Sequence, residues 1–222
     1  MDKYAVRGKF EKYGRAVFIS HLDLFRTMQR AMKRSGIPVW YSQGFNPRIY
    51  LNFPLALSLG VESCTEFMDF EIVEQMPYDE MMDSINKVLP EGLHFVEMNA
   101  PVSKNKEISL AEYELFLSSH LKTPSELKKS LEDFMQQDEI NVEKHSKSKG
   151  VITLDIKPYI NIISAECSED FLRITVSLPA GMELNINSNV FCDAFIKYCG
   201  CEFDKFSVKR TKILRNDGTE FA

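Results

Sequence analysis

The chain has 222 residues, of which 44% are hydrophobic and 27% are charged, proportions typical of a globular protein with one large domain or two small ones. No run approaches the ~20 apolar residues of a membrane helix, and the N-terminus has no apolar signal segment. Five irregularly spaced cysteines indicate reduced thiols. We therefore expect a cytoplasmic protein that does not associate with membranes.

The formal net charge of −5 excludes a uniformly basic protein, but the charge is unevenly distributed. Residues 1–50 contain ten Lys/Arg and three Asp/Glu, a balance of +7, whereas residues 51–100 contain one and ten, a balance of −9. Charges farther apart than about 8 Å are largely screened at physiological salt. A ligand would therefore meet a local patch, and the first fifty residues could face an anion.

Hydrophobic periodicity predicts the order β-α-β-β-α-β for the first hundred residues. The predicted elements are a strand at 3–12, a short extended run at 16–20, a helix from His21 to Ser35, strands at 38–42 and 65–73, a helix at about 77–89 and a strand at 93–98. Ser20 and Asp23 resemble a capping box for the first helix, and Gly36 ends it. The predicted buried stripe of this helix is Leu22, Phe25, Met28 or Gln29, and Met32.

The second half repeats this order with additional strands. Its predicted elements are a strand at 113–119, a helix that begins at the capping box 123–126, a hairpin of strands 140–145 and 151–156 around the turn 146–150, one or two strands within 159–179, a helix at about 188–199 and a strand at 205–214. We predict an α+β fold with two ferredoxin-like β-α-β-β-α-β halves, 1–100 and 108–222. Each half is expected to be an antiparallel sheet with helices packed on one face.

Four ordered motifs lie between residues 18 and 72: "SHLDL", "RAMKRSGIPVWYSQGFNP", "PLALSLG" and "EFMDFE". With them the chain resembles a bacterial family of radical-SAM-linked proteins, a domain of unknown function, most strongly over residues 1–100. The resemblance implies a radical SAM protein as partner, because the domain is commonly fused to, or encoded beside, a cobalamin-binding radical SAM protein. It implies no activity for the domain itself. Relatives often carry a histidine where this chain has Arg48.

The cysteines of this chain do not have the C-x-x-x-C-x-x-C spacing with which radical SAM enzymes hold their cluster. Cys199 and Cys201 form the only close pair, and two cysteines cannot supply four thiolate ligands. We therefore expect no iron–sulfur cluster, no adenosylmethionine and no other cofactor in this chain.

The first predicted helix carries a positively charged face. Arg26, Arg30 and Lys33 recur at i, i+4 and i+7, and Arg34 lies beside them. Like charges at i, i+4 cost a few tenths of a kcal/mol, and faces shaped only for solubility usually mix both signs. The pattern predicts contacts with an anion; the alternative is a solvated face of an amphipathic helix.

The stretch "YSQGFNPR" at 41–48 is predicted to be a loop that faces a ligand. Gly44 and Pro47 exclude a helix, and Gly44 permits close approach of a partner to the backbone. The candidate contact residues are Tyr41, Gln43, Gly44, Phe45, Asn46 and Arg48. Aromatic rings here could stack on bases. The alternative is an ordinary turn whose Phe45 plugs the core.

His21 is the candidate catalytic residue, because a histidine beside a basic cluster could act as a base in RNA cleavage. The alternative is that His21 packs or caps at the helix start, together with the capping residues. Ser20, His21 and Asp23 do not form a hydrolase triad, because neighbouring residues at a helix start point in different directions.

Two further groups lie on the predicted strands. Arg7 and Lys9 share a strand face, and they would make the sheet electropositive if that face is free of helices, as it is in RNA-recognition motifs. The acidic set Glu62, Glu66, Asp69 and Glu71 could supply oxygen ligands, but a metal site needs converging oxygens, and ion pairs with the neighbouring basic helix and strand explain the set better. We therefore predict no metal site.

The resulting hypothesis is a non-catalytic RNA-binding or adapter module that works with a radical SAM enzyme, with tRNA or ribosomal RNA as the candidate RNAs. The first alternative is an RNA endonuclease or RNA-modification subunit that uses His21. The second is a purely protein-interaction module that docks through residues 43–60.

Overall fold

The computed structural model describes residues 2–146 and 150–222, and the described part is an α+β protein with antiparallel strands and four α-helices. It divides into two units. Unit 1 consists of Met1–Glu107 with Glu220–Ala222, and unit 2 of Ile108–Thr219. No helix in the described residues is both long and apolar enough to cross a membrane.

Unit 1 contains four strands and two α-helices. In chain order these are β1 (Tyr4–Lys12), α1 (His21–Ser35), β2 (Leu51–Asn52), β3 (Glu62–Ile72), α2 (Tyr78–Asn86) and β4 (Leu93–Asn99). β1 lies between β4 and β3, and the short β2 pairs with β3; all these pairings are antiparallel. The order of element types is the predicted one, but its second strand is Leu51–Asn52 and not the predicted run 38–42.

One face of this sheet forms the core of unit 1 with the two helices. The register sets Val6 opposite Phe70 and Gly8 opposite Met68. Val6, Phe70 and Met68 belong to one core cluster with Met28 of α1 and Met81 of α2. A Cβ atom at Gly8 would lie 2.4 Å from Cε1 of Phe95, so glycine is needed where that ring crosses the strand.

Local signals explain the bounds of α1. The Ser20 hydroxyl accepts a hydrogen bond from the Asp23 N–H, and Gly36 ends the helix with a φ of 77°, a conformation that glycine adopts without steric cost. The buried side is formed by Leu24, Met28, Ala31 and Met32. The prediction that Leu22 is part of this stripe is wrong, because the i, i+4, i+7, i+8 series starts at Leu24 and leaves Leu22 exposed.

Unit 2 contains six strands and two α-helices. They are β5 (Ile108–Ser118), α3 (Pro124–Gln136), β6 (Asn141–Ser146), β7 (Gly150–Asp155), β8 (Asn161–Cys167), β9 (Leu172–Pro179), α4 (Ser188–Cys199) and β10 (Lys205–Arg215). β5 lies between β10 and β9, β8 pairs with β9, and β6 and β7 form a separate hairpin. Residues 147–149 of the predicted turn 146–150 lie outside the described residues.

Two segments of unit 1 that were predicted to be extended have a different conformation in the structure. The run 16–20 is mostly a 3₁₀ turn, Gly14–Phe18, because the buried Lys12 ammonium donates to the carbonyls of Val17 and Ile19 and draws that segment inward. The strand at 38–42 is reduced to isolated bridges at Val39 and Tyr41, since the Val39 N–H bonds back to Ile37 and bends the chain.

Candidate functional site

The cationic face of α1, which we define as Arg26, Arg30, Lys33 and Arg34, is exposed along its whole length. Arg26 makes a 3.4 Å ion pair with Asp23, but both side chains are about half exposed, and such pairs contribute little energy. Within the described residues, neither Arg30 nor Lys33 has a carboxylate within ion-pair distance. Two of the four cations are therefore available to an anionic ligand without displacing an internal partner.

Arg34 has a different environment from the other three cations. Its Nη2 donates to the main-chain oxygen of Val88 at 2.9 Å, just beyond the end of α2. Thr27, Arg30 and Arg34 line one side of a cavity of about 380 Å³, and Val88, Leu89 and Pro90 line the other. We call this cavity the α1–α2 groove. Its lining has two guanidinium groups and no carboxylate.

The loop at 41–50 is closed at its base by the backbone. Tyr41 bridges to Ile49, the Ser42 N–H donates to the Arg48 carbonyl at 2.8 Å, and the Arg48 N–H donates to the Ser42 hydroxyl at 3.0 Å. Gly44 has a φ of 130°, a conformation that other residues rarely adopt. These bonds hold a short protruding loop whose ends are fixed.

Phe45 lies at the tip of this loop and is fully exposed, at 107% of its reference area. The alternative in which Phe45 plugs the core is therefore wrong. Gln43, Asn46 and Arg48 are exposed as well, and Tyr41 is partly so. The side chains predicted to meet a ligand thus share one solvent-facing loop, although no hydrogen bond or ion pair of the described residues joins them to the cationic face of α1.

His21 is the first residue of α1, and its side chain is exposed. Its ring meets Phe53 edge-on, with 5.4 Å between the ring centroids. The Ser20 hydroxyl donates to the Asp23 carboxylate at 2.7 Å and accepts from its N–H at 3.1 Å, so both residues are engaged in capping the helix. The surroundings of His21 are those of a residue that packs at a helix start.

The predicted electropositive sheet face is wrong at Arg7, although Arg7 and Lys9 do share the face opposite the helices. Arg7 is 4% exposed and makes a bidentate pair with Asp69, at 2.6 and 2.9 Å. Its remaining N–H groups donate to the main-chain oxygens of Ser103 and Ala222 and to the Asn105 side chain. Asp69 lies opposite Arg7 in the strand register, so the guanidinium charge is neutralised inside unit 1.

Ion pairs account for part of the acidic set, as the alternative to a metal site predicted. Asp69 binds Arg7, and Glu71 binds Lys3 at 2.9 Å. Glu66 is buried on the core face of β3, opposite Phe10. The described residues contain no group of three or more His, Cys, Asp or Glu side chains arranged to hold a metal ion.

Exposed apolar residues on and near the start of α1 are not predicted by the periodicity of the sequence. Phe18, Leu22 and Leu59 are 74%, 57% and 58% exposed. The Gly60 N–H donates to the Val17 carbonyl at 2.9 Å, which sets the Leu59 segment beside the 3₁₀ turn. We call these three residues the apolar patch. Periodicity assigned Leu22 to the core, so only the helix phase seen in the structure reveals the patch.

Cys192 and Cys199 lie seven residues apart on α4, and both occupy its buried face. Burial raises the pKa of Cys192 to about 12 and that of Cys199 to about 11. Both groups are therefore protonated thiols at neutral pH, and they lack the thiolate character that a nucleophilic or metal-binding cysteine needs.

Comparison with known families assigns most of the chain. The profile of a family described as "Uncharacterized protein conserved in bacteria (DUF2344)" matches residues 5–188, which extend from the second residue of β1 to the first residue of α4. A search of curated proteins found no match. The family description gives no activity.

Proposed function

The chain belongs to this bacterial family, and we propose that it is a non-catalytic RNA-binding or adapter module working with a radical SAM enzyme. The RNA ligand would be a tRNA or a ribosomal RNA. The proposal includes a cytoplasmic location, which the odd number and irregular spacing of the five cysteines support, since a set of this kind is typical of reduced thiols.

The proposal further assigns a ferredoxin-like fold to each unit. In unit 1 the pairings follow the order β4-β1-β3-β2, and in unit 2 they follow β10-β5-β9-β8. Both correspond to the order 4-1-3-2 of an antiparallel β-α-β-β-α-β sheet, with the hairpin β6–β7 as an insertion in unit 2. This common arrangement supports two halves of one fold type.

The observation that carries the RNA proposal is the cationic face of α1. Arg30 and Lys33 are exposed and have no acidic partner among the described residues, in a protein whose net charge is −5. Local cationic patches attract polyanions because binding releases condensed counterions from the nucleic acid. Such a face, retained in an acidic protein, is suited to a phosphate backbone.

The loop at 41–50 supports the same ligand class. The Phe45 ring is fully exposed, and single-stranded bases stack on exposed aromatic rings. Arg48 at the loop base could add a phosphate contact, and Gln43 and Asn46 have amide groups that can hydrogen-bond base edges. In this proposal Tyr41 and Phe45 stack, and Gly44 lets the ligand approach the backbone.

The non-catalytic form of the proposal rests on the surroundings of His21. A general base must be oriented toward the proton that it removes, whereas the His21 ring packs on Phe53, and Ser20 and Asp23 are occupied in capping. We therefore assign His21 a packing role.

The radical SAM partner is proposed from the resemblance of residues 18–72, and the apolar patch supports a protein partner. Exposed apolar side chains on adjoining segments are common at protein–protein contacts. Of the segment "FPLALSLG", Leu57 is buried and Leu59 is exposed, so Leu59 is the residue through which this segment would dock.

RNA binding can be tested by fluorescence anisotropy with labelled total cellular RNA. With four to six phosphate contacts, log K against log salt should fall with a slope of about −3 to −5. The double variant Arg30→Glu/Lys33→Glu should abolish binding. The matched control is Lys128→Glu/Lys129→Glu on α3, which makes the same charge change in unit 2. An RNA affinity that does not change with salt concentration, or that falls equally in both double variants, would reject the proposal.

The partner can be tested by co-expression with a cobalamin-binding radical SAM protein from the same organism, followed by affinity purification after nuclease treatment. We expect the two proteins to co-purify and Leu59→Asp to separate them. Val102→Asp is the control, because Val102 is also exposed in unit 1 but lies outside the apolar patch. Loss of the complex on nuclease treatment, or equal loss in both variants, would contradict direct docking.

A further inference from the structure

The α1–α2 groove differs from the rest of the cationic face because a second segment of the chain borders it, so that its arginines line a shallow depression that is open to solvent. Thr27, Arg30 and Arg34 follow one another at i, i+3 and i+7, so their side chains project on the same side of α1. The opposite wall is the segment Val88–Pro90. Two guanidinium groups and a hydroxyl therefore face a concave space of about 380 Å³.

Arg34 is oriented before any ligand arrives. Its hydrogen bond to the Val88 oxygen uses one N–H of Nη2 and leaves the other donors of the planar group for a ligand. A free arginine loses rotamer entropy when it is fixed by a ligand. Because part of that cost is already met in unit 1, Arg34 can bind an oxyanion more tightly than a freely moving surface arginine.

The lining indicates the charge and shape of the ligand. Guanidinium groups bind tetrahedral oxyanions through paired N–H donors, and the threonine hydroxyl can donate a further hydrogen bond. The lining has no carboxylate, so a cation would find no ligand there. The side chains of Val88, Leu89 and Pro90 form an apolar wall that lowers the local dielectric and strengthens each charged contact.

We propose that the α1–α2 groove binds one phosphate group of the RNA backbone, held by Arg30, Arg34 and Thr27. The assignment rests on the proposed function for the identity of the ligand. Arg26 and Lys33 are not part of the groove lining. They attract RNA through charge alone, whereas the groove fixes the position of one phosphate relative to α1.

The phosphate itself can be tested with inorganic phosphate, followed by ¹H–¹⁵N NMR spectra of the full chain. We expect saturable shifts at the amides of residues 27–34 and 88–91. Arg30→Gln should remove the saturable response, and because Arg30 has no partner in the described residues, this change should leave folding intact. The control is Arg15→Gln, which removes an exposed arginine outside the groove.

The same variants are then compared in RNA binding by anisotropy at several salt concentrations. Arg30→Gln should weaken binding about ten-fold and make the salt slope shallower by about 1, whatever the RNA sequence. Thr27→Val should weaken binding about two- to ten-fold without changing the slope, because the hydroxyl contributes one hydrogen bond and no charge. Arg15→Gln should change affinity less than two-fold.

The outcomes separate the groove from the proposed function. If RNA binds but Arg30→Gln and Arg15→Gln have the same affinity for RNA, and inorganic phosphate shifts no groove amide, the phosphate site in the groove is rejected and RNA binding stands. If RNA does not bind but phosphate shifts the groove amides and Arg30→Gln removes those shifts, the groove stands as a phosphate site and the RNA function is rejected. If neither ligand produces a response, both are rejected.

Discussion

The role of Phe45 in RNA binding can be tested with a variant that should leave the stability of the protein unchanged. Its side chain is fully exposed, so Phe45→Ala removes no buried apolar area, and the free energy of unfolding should change by less than about 0.5 kcal/mol. Stacking of one base on an aromatic ring contributes about 1–3 kcal/mol. If Phe45 stacks on RNA, the variant should therefore bind about 5- to 140-fold more weakly, at about 1.4 kcal/mol per factor of ten.

The assay is anisotropy with a labelled single-stranded oligonucleotide, accompanied by a thermal melt of each variant. Phe45→Trp should bind at least as well as the original chain, because an indole ring also stacks on bases. Phe18→Ala is the matched control, since Phe18 is another exposed aromatic of unit 1 outside the loop. Unchanged affinity in Phe45→Ala, or an equal loss in Phe18→Ala, would refute the stacking role.

Three predictions concern the rest of the structure. Arg7→Met should lower the free energy of unfolding, measured in urea, by about 3–5 kcal/mol, because it leaves a carboxylate and two main-chain oxygens without their donor. The control variant Lys3→Met breaks a more exposed ion pair and should lower the free energy of unfolding by at most about 1 kcal/mol. Equal effects of the two variants would contradict the reasoning that the buried pair matters more. Thr123→Ala should cost about 1 kcal/mol by removing the cap of α3, and an unchanged urea midpoint would contradict this. At pH 8 iodoacetamide should label the exposed Cys167 in the folded protein and should not label Cys192, whose pKa is raised to about 12 by burial. Cys192 should become labelled only when urea unfolds the chain. Equal labelling of both cysteines in the folded protein, detected by mass spectrometry, would contradict this prediction.

The helices could be predicted from the sequence because their signals are local. Ser20 and Gly36 bound α1, the capping box of Thr123 and Glu126 begins α3, and Gly200 ends α4 in the left-handed conformation. Each signal depends on residues within one turn of the helix end, so no knowledge of the tertiary structure is needed.

The role of Arg7 could not be predicted in the same way. Strand parity correctly places it on the face opposite the helices, but its partners include Ser103, Asn105 and Ala222, which are far away in the sequence. Periodicity tells which face a residue occupies and gives no information on which distant segment covers that face. The exposure of Phe45 is a similar case, since an apolar residue in a loop can turn inward or outward.

The separation of charges within unit 1 explains how an acidic protein can present a cationic surface. Met68 and Phe70 of β3 point into the core that α1 covers, so Asp69 and Glu71 point to the opposite face of the sheet. There they pair with the cations of β1 and its approach, Arg7 and Lys3. The alternation of side chains along β3 thus turns Asp69 and Glu71 away from α1. These carboxylates neutralise Arg7 and Lys3 instead. Arg30 and Lys33 of α1 have no acidic partner among the described residues, so the net charge of the chain does not predict the potential that a ligand meets there.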